Sequence, residues 1–165
     1  MNKTIKTASL ISIIFLGVLC LTRSSSAAVR NAASCAKADV QAAVTSAVNG
    51  DTVTIPAGNC TWSSTLTINK GITLQGAGTN ATTITQNSGI FSIVINLNAD
   101  LPVRVTGIYF DLVSNSSSDH GAIEISGSDN GSFGTTQLRI DHCKFNKGNA
   151  VISPEGWVYG VIDHN

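Results

Sequence analysis

Charge is scarce in this chain, and aromatic residues are scarcer. Of 165 residues 12% are charged, ten basic against ten acidic, which leaves a net charge of zero. No basic stripe exists to hold nucleic acid or an anionic membrane. Aromatics make up 5%, and there are three prolines and one methionine. The apolar fraction is still 42%, which excludes a disordered chain. Ser, Thr and Asn fill the remainder, at close to a third of all residues. A polar, uncharged surface over an aliphatic interior is therefore expected, in a single domain.

The longest apolar run, Ala8 to Leu21, follows Lys3 and Lys6 and is too short to span a bilayer comfortably. Ser26-Ala27-Ala28 gives a small-residue cleavage site. Residues 1–28 are expected to be a secretory signal peptide, with Val29 the first mature residue. The Leu19 before Cys20 is too large for a lipoprotein site. The expected location is secreted, extracellular or periplasmic, with no membrane span after cleavage. Processing leaves Cys35, Cys60 and Cys143. Secretion permits disulfides. Cys35 and Cys60 flank the first helix–strand unit and are expected to pair, leaving Cys143 as a small buried apolar residue.

Ser34 is placed to cap a helix. Val40, Ala43, Val44, Ala47 and Val48 then form one apolar helical face, and Asn49-Gly50 ends it. Residues 29–50 are thus an N-terminal cap. After it, short β-branched runs bounded by Gly, Asn, Asp or Ser predict ten strands. They are Thr52 to Ile55, Thr65 to Ile68, Ile72 to Leu74, Thr82 to Thr85, Ser92 to Leu97, Val103 to Ile108, Ala122 to Ile125, Leu138 to Ile140, Ala150 to Ile152 and Gly160 to Ile162. Hairpin turns joining matched strands are largely missing, which argues against a sandwich or barrel.

Repeats give the architecture. Leu138-Arg139-Ile140-Asp141 resembles Gly160-Val161-Ile162-Asp163, and Arg104-Val105 with Phe110 recurs as Arg139-Ile140 with Phe145. Gly121-Ala122-Ile123 resembles Asn149-Ala150-Val151. The spacings are about 22, 35 and 28 residues. Interleaved columns of this kind are the mark of a solenoid. The fold expected is all-β, a right-handed parallel β-helix with a short N-terminal capping α-helix that covers the first coil. Residues 51–165 form the coils. Val161-Ile162 is still a buried-strand pattern, so the coils are expected to be truncated at the C-terminus.

Cys35 to Trp62, centred on Asp51-Thr52-Val53-Thr54-Ile55-Pro56-Ala57-Gly58, resembles the cap and first coil of secreted pectin-lyase-like β-helix proteins. Ile72-Thr73-Leu74-Gln75-Gly76-Ala77-Gly78 resembles their next strand and turn. Asp119-His120-Gly121-Ala122-Ile123-Glu124-Ile125, followed by Arg139-Ile140-Asp141-His142, is similar to a stretch of pectate lyases. That resemblance implies an extracellular polysaccharide partner and calcium held by carboxylates, with an arginine as base. Of the calcium ligands only Asp119 matches. Gly121, Asn149 and Ser153 stand where further acids would be, so no cofactor is expected beyond what the resemblance implies.

Asp141, His142, Asp163 and His164 are the most suggestive catalytic set. One coil apart, the two Asp-His pairs would line one face about 4.8 Å apart. Carboxylates that close would push one pKa up, as a general acid requires. The simpler reading is a polar ladder bonding turn backbone. Glu124 and Arg139 point outward and are candidates for sugar binding or for a surface salt bridge. Trp157 and Tyr159, between Gly156 and Gly160, are candidates for stacking on sugar rings. The expected function is a secreted protein that binds or acts on an extracellular polysaccharide, as lyase or glycosidase. The alternative is a non-catalytic surface adhesin or spike-like structural protein.

Overall fold

The computed structural model describes residues 26–112, 121–126, 137–147 and 151–165. Most of the expected leader, and Asp119, lie outside these residues. The chain opens with β1 (Val29–Asn31) and α1 (Lys37–Ser46). Three strands follow, β2 (Thr52–Ile55), β3 (Gly58–Trp62) and β4 (Leu66–Ile68). The next three are β5 (Thr73–Gly76), β6 (Thr82–Gln86) and β7 (Ile93–Asn96). Then come β8 (Val103–Thr106), β9 (Tyr109–Leu112) and β10 (Ile123–Ser126). The last are β11 (Leu138–Asp141), β12 (Lys144–Asn146), β13 (Ile152–Glu155) and β14 (Gly160–Asp163).

β1 pairs in parallel with β2, and from β2 onward each strand pairs in parallel with the strand three places along the chain. Three parallel sheets result, ordered β1-β2-β5-β8-β11-β14, β4-β7-β10-β13 and β3-β6-β9-β12. Every tier of chain adds one strand to each sheet. The described residues are therefore mostly β, with parallel sheets and one helix, in agreement with the all-β expectation.

Alternation builds the core. Val53, Leu74, Val105 and Ile140 stack in register along the first sheet and are buried. Leu66, Ile93 and Ile123 do the same in the second, Ile84 and Phe110 in the third. Burying each such side chain contributes roughly 1.5–3 kcal/mol. The corner between β8 and β9 is made by Gly107, whose φ of 71° suits glycine. A Cβ on Gly76 would lie 2.3 Å from the Gly107 carbonyl oxygen, so the two tiers approach too closely there for any side chain.

α1 packs on β1, β2, β3 and β4 with Val40, Ala43 and Val44 buried. Cys35 and Cys60 form the expected disulfide. Trp62 is fully buried and its Nε1 donates to the Cys35 carbonyl at 2.9 Å. Ser34 is not the N-cap. That position is Ala36, and Ser34 Oγ instead accepts from the Ala36 N–H at 3.0 Å and donates to Asp39 at 2.5 Å. Val48 is 44% exposed because the helix ends at Ser46, before its face reaches that residue.

The spacings of 35 and 22 hold residue for residue, with Arg104 opposite Arg139, Phe110 opposite Phe145, and Asp141 opposite Asp163. The spacing of 28 does not. Ile123 pairs with Ile152, one residue further, so that isoleucine meets isoleucine in the column. Four strands, β1, β3, β9 and β12, were not expected from the sequence. No helix among the described residues is long and apolar enough to cross a membrane.

Candidate functional site

β8, β11 and β14 lie side by side, and their alternation turns Val105 and Ile140 inward. Arg104 and Arg139 therefore share the outward face with the column Thr106, Asp141, Asp163. Asp141 is nevertheless fully buried. Arg104 covers it, with Nε 3.1 Å from Oδ1 and Nη2 2.8 Å from Oδ2. Arg139 Nε closes from the other side at 2.7 Å from Oδ2. The same guanidinium then reaches Asp163, Nη2 to Oδ2, at 3.1 Å.

This packing decides the protonation of Asp141. Burial pushes its pKa up, but the hydrogen bonds from Arg104 and Thr106 and the charges of Arg104 and Arg139 outweigh it and hold the carboxyl down at about 2. Asp141 in turn raises Arg104 above the ordinary arginine value, chiefly through their hydrogen bond. The expectation of a raised carboxyl suited to a general acid is thus overturned for Asp141, because arginine and not the second aspartate is its nearest neighbour.

The histidines cap the face. His164 Nδ1 lies 2.9 Å from Asp163 Oδ2, and His142 Nδ1 lies 3.7 Å from Asp141 Oδ2. Their rings stack with centroids 5.3 Å apart and planes 5° from parallel. Both occupy left-handed backbone, φ 50° and 54°, His142 one tier after Gly107 and His164 one tier further. Asn165 locks the turn below, accepting from the Cys143 N–H at 2.8 Å and donating to the Ile140 carbonyl at 3.1 Å. The simpler reading gave that backbone-bonding role to the Asp–His pairs, whereas here the side chain of Asn165 takes it. Cys143 is buried, which pushes its thiol up to about 11.

A shallow groove lined by Gly71, Thr73, Val103, Arg104 and Arg139 runs beside the two guanidinium groups. Trp157 and Tyr159 sit on the loop between β13 and β14, tilted at 52° with ring centroids 6.4 Å apart. They are 55% and 56% exposed. Glu124 is elsewhere. It lies on β10, in a different sheet from Arg104 and Arg139, and accepts from Ser126 Oγ at 3.3 Å. Both arginines pair with aspartates instead.

Calcium needs six to eight oxygen ligands. Asp119 lies outside the described residues. Ser153 stands opposite Glu124 on β13, and among the described residues no group of three or more His, Cys, Asp or Glu is gathered to hold a metal. The described residues do not fit calcium.

One carboxylate escaped the sequence reading. Asp51, just before β2, has a fully buried side chain. It accepts from the Val48 N–H at 3.0 Å, the Ala28 N–H at 2.9 Å and Arg30 Nε at 3.0 Å. These bonds, the two backbone donors first, hold it down at about 2 against its burial. Its place at the opening of a strand phrase was the available signal.

Comparison with protein-family models, with curated proteins and with solved structures finds no match to this chain.

Proposed function

We propose that the chain is a secreted right-handed parallel β-helix of the pectin-lyase type that binds an extracellular polysaccharide. The observation that carries the reading is the aromatic pair Trp157 and Tyr159, more than half exposed on the loop that leads into β14 and its Asp163–Arg139 ion pair. Exposed rings stack on sugar faces, and half-exposed guanidinium groups offer planar N–H donors to hydroxyl and carboxyl oxygens. Parallel sheets built one tier at a time offer repeated binding positions along a linear polymer. The Cys35–Cys60 disulfide supports export to an oxidising compartment.

Binding is better supported than cleavage, since Asp141 is held ionised by two arginines. The same ion-pair ladder favours the second reading, a non-catalytic surface or spike-like structural protein. Affinity electrophoresis against a panel of neutral and acidic polysaccharides separates the two. Retardation by one class, weakened by Trp157→Ala and Tyr159→Ala, is the expected result. Unretarded migration in every gel would leave the structural reading.

A further inference from the structure

The bonded part of the described chain starts one residue earlier than the expected cleavage point. Ser26 and Ala27 are exposed, whereas Ala28 is half-buried. The Ala28 N–H donates to Asp51 Oδ1 at 2.9 Å, and its carbonyl accepts from the Thr52 N–H at 2.8 Å. The small-residue rule for signal cleavage fits two bonds equally. Scission after Ala28 uses Ser26 and Ala28, and scission after Ala27 uses Ser25 and Ala27. The first would strip a donor from the fully buried Asp51 side chain and the acceptor from Thr52. The second keeps both.

We propose that the Ala27–Ala28 bond is the processing site, and that the new α-ammonium of Ala28 docks on Asp51. The inference rests on the secretion reading. The co-reactants are water and the export machinery's signal peptidase. The C–N bond breaks, water's hydroxide goes to the Ala27 carbonyl and its proton to the Ala28 nitrogen, and the new Ala27 carboxyl group ionises, its proton completing the ammonium. That nitrogen already sits at hydrogen-bond distance from Oδ1, so cleavage replaces a neutral N–H donor by a charged one at the same place. A charge-assisted bond is roughly twice as strong as a neutral one. The leader's removal thereby tightens the junction of β1, β2 and the segment after α1, where Asp51 also binds Arg30 and the Val48 N–H.

The test is to express the full chain with its own leader in an exporting host and read the mature N-terminus by intact mass and N-terminal sequencing. A start at Ala28 is expected. A start at Val29 overturns this inference and leaves secretion standing, whereas an uncut, retained chain overturns both. A second variant tests the ammonium itself. The mature chain with one glycine added ahead of Ala28 carries an amide there, and it should melt several degrees below the Ala28-start form at low salt. Equal melting would show that the charge contributes nothing.

Discussion

Arg104 grips Asp141 across two neighbouring strands, with Nη2 2.8 Å from a carboxylate that is fully buried beneath it. The folded Asp141 titrates at about 2 against an ordinary value of 3.8. A depressed folded pKa gives stability that is complete above the unfolded value and lost as pH falls toward the folded one. The chain should therefore lose stability between about pH 4 and pH 2. For Asp141 alone the loss is on the order of 1–2 kcal/mol, after screening through the half-exposed guanidinium groups. Asp51 titrates in the same window. Melting temperature against pH should thus flatten only partly in Asp141→Asn. An unchanged slope in that variant would show that the arginine pair does not set the acid limit.

The columns of this fold could be read before any coordinate existed. Arg104 and Phe110 announce Arg139 and Phe145 because a parallel register copies side chains from tier to tier. The stacking of Asp141 on Asp163 followed from the same copying. The electrostatic sign did not. It depends on which outward side chain folds over the carboxylate, and Arg104 comes from 37 residues away. The missed strands have a similar cause. β3 carries Gly58, Asn59 and Cys60 and is a strand because β6 pairs with it, not because its residues prefer to be. β9 was missed because the apolar pattern carries the expected strand through the corner at Gly107 to Ile108 and stops before Tyr109.

Phe110 tests the core. It is fully buried and stacks on Phe145 with centroids 5.5 Å apart and planes 7° from parallel. Phe110→Ala empties the third sheet's column and should cost about 3–5 kcal/mol. Phe145→Ala, at a partly buried position, should cost less. Denaturant midpoints of the two variants give the comparison, and the reverse order would contradict the burial described.

Lys70 tests the cap. It is not in the helix, yet its Nζ donates to the Val44, Thr45 and Ala47 carbonyls at 3.2, 2.7 and 2.7 Å. It supplies at the C-terminal end of α1 both the hydrogen-bond donors and the positive charge that unpaired carbonyls need. Lys70→Met keeps the stem and removes the ammonium. A loss of about 1–2 kcal/mol is expected, with hydrogen exchange rising first in the last turn of α1. Uniform protection across the helix would show that the ammonium is dispensable.

The disulfide should matter more than Lys70. Cys35 and Cys60 are 25 residues apart, and closing a loop of that size stabilises by roughly 3 kcal/mol. Reduction, or Cys35→Ser with Cys60→Ser, should lower the melting point accordingly and loosen Trp62, whose Nε1 bonds the Cys35 carbonyl. Trp62 fluorescence would shift to the red, and Trp157, already exposed, would not contribute to that shift. Gly58→Ala offers a second route to the same end. Its Cβ would sit 2.7 Å from Cys35 Sγ, so the bridge must move or fail to close. Counting free thiols in Gly58→Ala decides the matter. In the chain freed of its leader, and so of Cys20, a count that rises above the one buried thiol of Cys143 is the expected result. A fully closed bridge with unchanged melting would mean that the segment before α1 yields freely and contributes little to holding the cap.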